Sequence, residues 1–240
     1  MKHLLSLLLF IALTGISFTQ NITIYKKSGA ILTADLSKID SLNFTDSQCP
    51  ATVTYGGKTY NTVTIGEQCW FKENLNVGKF ISSGTAQTNN NIIEKWCYSN
   101  DTNNCNAYGG LYIWSEAMQY APITGTIQGI CPTGWHLPTS LDFRILAKTV
   151  NEVGNSLKAI GQGNGTGAGT NVSGFSALLA GCRLSSGSFT NIGLNIYLWS
   201  SSEYDVSSAD RMVLPNNDSG IYTDGRTKGD GNSVRCLKDN

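Results

Sequence analysis

Charge is scarce in this chain, and histidine scarcer still. Charged side chains make up 14% of its 240 residues, 17 basic against 17 acidic, leaving no net charge. A protein that takes its affinity from phosphate contacts carries a basic patch. None is present here, so nucleic acid is not an expected partner. The two histidines are His3 and His136, and no CxxC pair accompanies them. A zinc site needs clustered thiols or imidazoles at ligand spacing, so no metal site is predicted. A GxGxxG–helix unit and a Walker loop are both absent, and the glycines at 161–169 precede no convincing helix. No cofactor is predicted. Nor is any apolar run long enough to span a hydrocarbon core of roughly 30 Å.

The longest such run is Leu4–Leu13, interrupted by Ser6, which follows Lys2 and precedes small and polar residues from Thr14 to Thr19. That is the layout of a removed secretory signal over residues 1–20, with cleavage between Ser17 and Asn21. No cysteine ends the run, so no lipid anchor is expected. The chain then works in the extracellular space or on the outer cell surface. Removal of the signal leaves roughly 220 residues, enough for one large domain or one domain with a small appendage. With 40% hydrophobic and 10% aromatic residues, a folded core is expected rather than disorder.

Seven cysteines occur, at 49, 69, 97, 105, 131, 182 and 236. In an exported chain they read first as disulfides. Cys97 and Cys105 flank a polar stretch, Tyr98–Asn104, and suit a local bridge. Cys131 with Cys236 ties the chain's end to its middle, the long loop for which chain entropy gives the most stabilisation. Cys49 with Cys69 is the remaining natural pair. Cys182 is left over; it reads as a small buried hydrophobe, with a reactive or intermolecular thiol as the sharper alternative.

Residues 21–46 form a small separate piece. Ile22, Ile24, Ile31 and Ala34 flank Lys26-Lys27-Ser28-Gly29, a predicted hairpin, and Leu36, Ile39, Leu42 and Phe44 continue the apolar pattern. A second hairpin is predicted from Val53 and Tyr55 through Gly56-Gly57 to Tyr60, Val63 and Ile65, then a strand at 68–71. Helical spacing of Leu111, Trp114 and Met118 predicts a helix over 108–120. Another starts at the N-cap Thr139, with Asp142 in capping-box position and Leu141, Ile145, Leu146 and Val150 as its apolar stripe. The Gly161–Gly169 tract reads as a flexible spacer. Short strands are predicted at 175–179, 197–200, 211–214, 221–223 and 233–237. The fold class is therefore α+β, two helices packed on short irregular antiparallel sheets with long loops.

Catalytic chemistry is thin. A Ser-His-Asp triad has to use His136, which stands between Trp135 and Leu137-Pro138, a setting that points to a core or capping role. Paired carboxylates drive glycoside hydrolysis, yet no spacing singles out two among Glu67, Glu73, Glu94, Glu116 and Glu203. No catalytic residue is predicted. A binding surface is better supplied. Between 185 and 231 lie Trp199, Glu203, Tyr204, Asp205, Asp210, Arg211, Asn217, Asp218, Tyr222 and Asp224, joined by Asn191, Asn195, Tyr197 and Asn216. Aromatics among short polar residues are the chemistry of recognition loops. Their oxygens suit a structural Ca²⁺ as well, but without EF-hand spacing none is predicted.

Several segments together resemble one family. They are Thr59–Val63 with Ile65-Gly66, Cys69–Leu75, Tyr108–Tyr112 with Trp114, Cys131–Thr139, Trp199–Tyr204 and Ser233–Leu237, in order across 49–238. They resemble the Fibrobacter succinogenes major paralogous domain, an exported bacterial module. The Trp-His-Leu-Pro-Thr helix start and the Val-Arg-Cys ending are similar to the formylglycine-generating-enzyme branch of C-type-lectin-like folds. The resemblance thus implies a C-type-lectin-like α+β unit with a loop-rich face from its C-terminal half. It carries no activity with it, because the reactive cysteines of that enzyme branch and the Glu-Pro-Asn and Trp-Asn-Asp signatures of calcium-dependent lectins are missing. The function expected is non-catalytic binding of a glycan or an envelope protein through the C-terminal face. The alternatives are an adhesion component assembled through residues 21–46 and a carboxylate-dependent hydrolase.

Overall fold

A computed structural model describes residues 21–25, 31–35 and 49–239. The chain divides into two units, Met1–Ser47 and Gln48–Asn240. In the first, β1 (Asn21–Tyr25) and β2 (Ile31–Asp35) pair antiparallel, with Tyr25 opposite Ile31. The segment expected to be a signal, the turn expected at 26–29 and the apolar pattern at 36–44 lie outside the described residues.

The second unit is mostly sheet with a few short helices. β3 (Thr52–Tyr55) and β4 (Lys58–Ile65) form a hairpin around Gly56-Gly57. Both glycines have positive φ, 58° and 77°, the left-handed geometry of a tight two-residue turn. β5 (Gln68–Phe71) continues the meander. The ribbon of β6 (Lys79–Phe80) and β7 (Glu94–Lys95) follows, then β8 (Trp135–His136). The C-terminal half supplies β9 (Ala180–Arg183), β10 (Phe189–Ile192), β11 (Asn195–Glu203), β12 (Ser208–Pro215) and β13 (Tyr222–Thr227). β14 (Leu237–Lys238) is the last strand among the described residues. One five-stranded sheet has the order β3-β4-β5-β14-β8, the other β10-β9-β11-β12-β13.

Strand alternation divides the interior in two. All four residues of β5 are buried, because successive side chains enter opposite cores. Cys69 and Phe71 join Tyr60, Tyr112, Trp114 and Trp135, whereas Trp70 joins Phe143, Phe175, Leu198 and Met212. β11 does the same, with Trp199 in the first core and Ile196 and Leu198 in the second.

Three α-helices occur among the described residues: α1 (Thr102–Tyr108), α2 (Trp114–Ala117) and α3 (Ser140–Thr149). The helix expected over 108–120 is not there. α1 stops at Gly109, whose φ of 88° is left-handed and which lies so close to Asn74 and Leu75 that a Cβ does not fit. Leu111 and Tyr112 then form single bridges with Trp96 and Asn232, and only the turn at Trp114–Ala117 is helical. The stretch after Cys97, expected as a loop, is a 3₁₀ turn leading into α1.

α3 begins as expected: the Thr139 side chain accepts from Asp142 N, and Asp142 Oδ2 accepts from Thr139 N at 2.8 Å. Its apolar stripe is rotated from the expected one. Phe143 and Leu146 are buried and Val150 partly so, whereas Leu141 and Ile145 are 55% and 41% exposed. Residues 143, 146 and 150 follow the helical period, and 141 and 145 lie about 100° or more off that line. The strand expected at 175–179 is not formed. Phe175, Ala177 and Leu179 are buried in alternation, but Ser176 has φ 59° and the ladder starts only at Ala180. The 161–169 tract is not a spacer. Asn164 N donates to Asn216 O at 2.7 Å, and Gly163 and Gly167 press on the same carbonyl.

Three disulfides brace the unit: Cys49–Cys69, Cys97–Cys105 and Cys131–Cys236. Cys182 is unpaired and buried, and burial pushes its thiol pKa up to about 11.

Candidate functional site

Cross-strand register decides which residues of the C-terminal half share a surface. Trp199 stands opposite Arg211, and Arg211 opposite Asp224; Tyr197 stands opposite Val213, and Val213 opposite Tyr222. Directly opposed residues point to the same side, so these two rows lie on one face of the β11–β12–β13 sheet. The reverse face carries Ile196, Leu198, Met212 and Leu214 into the core beneath α3.

Exposure rises along each row. Trp199 is fully buried, its Nε1 donating to Tyr112 O at 2.8 Å. It is a core residue, which removes it from the expected binding surface. Arg211 is 5% exposed and Asp224 exposed; Tyr197 is buried and Tyr222 is 49% exposed. The site therefore opens at β13, the outer strand.

Arg211 organises this face. Its Nε and Nη2 donate to the two oxygens of Asp224 at 2.7 and 3.0 Å, and its Nη1 donates to Asn232 Oδ1 at 3.3 Å. The guanidinium lies 4.0 Å from the Tyr197 ring centre, and Asn191 Nδ2 donates to Tyr197 Oη at 2.7 Å. A bidentate, stacked arginine has little freedom left, so the Asp224 carboxylate is presented in one orientation. Burial raises the Tyr197 pKa. Beside Asp224, Tyr222 is hydrogen-bonded to Asp218, which raises the phenol's pKa. The Gly220 N–H and then Tyr222 hold the Asp218 carboxyl below its usual range.

The remaining expected residues fall elsewhere. Tyr204 is 68% exposed, but its ring lies over Gly225. Gly225 alternates with Asp224 along β13 and so presents to the reverse face, as does its partner Asp210, which accepts from Ser140 Oγ at the start of α3. Glu203 pairs with Lys228. Asp205 closes the β11–β12 turn, accepting from Ser207 N at 2.8 Å and Ser208 N at 2.7 Å. Asn217 is exposed, and its carbonyl accepts from Thr166 Oγ1. The two exposed tyrosines thus face opposite ways.

Among the glutamates, Glu94 and Glu116 are buried neighbours. Glu116 accepts from Glu94 N at 2.8 Å and Tyr120 Oη at 2.9 Å, and burial raises its pKa against the lowering effect of these two hydrogen bonds. Glu73 accepts from Asn61.

Sequence reasoning missed a cluster at His136. Its Nδ1 lies 2.7 Å from Asp239 Oδ1 and its Nε2 3.6 Å from Asp142 Oδ2. They line a cleft of about 550 Å³ with Thr126, Gln128, Trp135 and Thr139. Burial lowers the imidazole's pKa, but hydrogen bonds to Asp142 and then Asp239 outweigh it and leave the value raised. Asp142 is held below its ordinary value, since contacts from His136 and Thr139 outweigh its own burial. A His–Leu–Pro–Thr turn directly before a capping box was the available signal: it folds residue 136 back over the carboxylate at the third helical position. Among the described residues no group of His, Cys, Asp and Glu could hold a metal ion, and no helix is long and apolar enough to cross a membrane.

Fold and face together define a disulfide-braced, mixed α/β domain that is mostly sheet and carries a polar, partly aromatic surface on one outer strand. The chain belongs to the Fibrobacter succinogenes major domain family, whose model matches residues 63–238. No curated protein and no solved structure matches it.

Proposed function

We propose that this protein is an exported, non-catalytic module of the cell surface or extracellular space that binds a glycan through the β13 face. One observation carries the reading: exposed Tyr222 stands beside Asp224, whose carboxylate is oriented by the buried Arg211 clamp. An aromatic face accepts the apolar side of a sugar ring, and a fixed carboxylate accepts from its hydroxyls. Preorganisation limits the ordering cost of binding. Export is supported by the apolar segment after Lys2 and by three disulfides, which persist in oxidising compartments. Absence of catalysis is supported by His136, whose two ring nitrogens are taken up by Asp239 and Asp142 rather than set in a Ser-His-Asp arrangement. A C-type-lectin-like architecture is supported by β14, which joins the start and end of the unit between β5 and β8, and by a sheet drawn from the C-terminal half.

A glycan array that also carries matrix and envelope proteins tests the reading, with Y222A and D224N as variants. Binding to a glycan that both variants weaken is expected. Binding to no glycan, or binding indifferent to both changes, refutes it.

A further inference from the structure

A second cavity, of about 280 Å³, opens between the start of β4, the residues after β5, α1 and the segment before β14. At its inner end lies Arg235, 1% exposed. The guanidinium is fixed on three sides. Nε and Nη2 both reach Asn74 Oδ1, at 3.2 and 2.7 Å, Nη1 donates to Phe175 O at 2.5 Å, and the Phe175 ring centre is 4.2 Å away.

These contacts account for its position but not for its charge. Asn74 and a carbonyl are neutral, and no carboxylate pairs with Arg235 among the described residues. An interior cation without a counter-charge is costly. The desolvation is strong enough to push the Arg235 pKa down to about 9, with Glu73 offsetting it in part. Lys58 and Lys72 line the same cavity, against one carboxylate, Glu73. That carboxylate already accepts from Asn61 N and Nδ2, each at 2.8 Å. Outside the lining, Lys95 lies close enough to be affected by Lys58: burial and then Lys58 lower its pKa.

We propose that this cavity is a binding site for a compact oxyanion, a carboxylate, sulfate or phosphate group, held by Arg235 with Lys58 and Lys72 at the mouth. Two N–H groups of Arg235 are not used by the protein, since a guanidinium carries five and Asn74 and Phe175 take three. An anion meeting them forms charge-assisted hydrogen bonds and supplies the missing counter-charge. Ligand pockets for drug-sized molecules begin at about 300 Å³, so the volume suits one anionic group or a single acidic sugar residue. The site is separate from the β13 face and stands or falls independently of it.

The test is titration of the full, disulfide-bonded chain with sodium sulfate, sodium phosphate and galacturonate at constant ionic strength, followed by NMR shifts around Asn74 and Arg235. Saturable shifts with at least one of the three are expected, and the one that binds tightest identifies the source of the anionic group. Lys58→Gln with Lys72→Gln, which leaves the core intact, should weaken that binding about tenfold, in line with the loss of charged hydrogen bonds. Tyr222→Ala should leave it unchanged. No saturable shift with any of the three overturns the proposal. So does an unaltered dissociation constant in the double lysine variant, or an equal response to neutral galactose.

Discussion

The Cys131–Cys236 and Cys97–Cys105 bridges offer a controlled comparison, because all four cysteines are buried, at 0 to 2% exposure, while the loops they close differ greatly. Their separations are 105 and 8 residues. Replacing both members of a pair by alanine removes similar buried volume in either case, so that contribution nearly cancels in the comparison. What remains is the loop-closure entropy of the unfolded chain, which grows as 1.5R times the logarithm of loop length. The two pairs then contribute about 4.7 and about 2.5 kcal/mol, a difference of about 2.3 kcal/mol. At about 2.1 cal/mol/K per residue, a unit of roughly 190 residues has an unfolding entropy near 0.4 kcal/mol/K, so the difference is about 6 °C in Tm. Differential scanning calorimetry of C131A/C236A and C97A/C105A, without reductant, should show the first melting lower by about that amount. Equal melting temperatures, or a larger loss for C97A/C105A, would refute the argument.

Two further outcomes follow from titrating groups. The raised pKa of His136 means that its stabilisation is complete below the ordinary value of 6.5 and is lost as pH rises through the folded value. The lowered pKa of Asp142 means that its contribution is present above 3.8 and is lost as pH falls through its folded value. Stability should therefore be highest in weakly acidic solution and fall into the alkaline range, and thermal melts of H136Q across pH should lack the alkaline fall. Cys182, buried with its thiol pKa near 11, should resist iodoacetamide at pH 8 in the folded protein and react once denaturant is added, read by intact mass; rapid labelling of the folded chain would contradict its burial.

Much of the frame was legible in the sequence because it depends on neighbours along the chain. The Gly56-Gly57 turn has the positive φ values its residues allow, Thr139 and Asp142 form their capping box, and the cysteine pairs inferred from loop placement are the bonded ones. The misreadings came where periodicity was read without its packing partner. Leu111, Trp114 and Met118 are all buried as a helical stripe would be, yet Leu111 reaches the interior from an extended segment held by Trp96. Alternation at 175–179 marked burial correctly but not ladder pairing.

The candidate site was half legible. Composition located a surface rich in aromatic and polar residues, and Arg211, Asp218, Tyr222 and Asp224 do come together on it. It offered no means of separating Trp199, Tyr204 and Tyr222, which are buried, exposed on the reverse face and exposed on the site face. His136 met Asp239 across 103 residues, a distance no spacing rule covers.

Local chemistry, then, was determined by the sequence alone: where the chain turns, where α3 begins, which cysteines are placed to bond, and a composition poor in charge. Tertiary structure decided which aromatic residues are covered, which carboxylates are held, and that Arg235 lies in the interior without a counter-charge. The physical reason is that capping and turn geometry act within a few residues, whereas a side chain's face and its solvation are set by strand register and by packing between segments far apart in the chain.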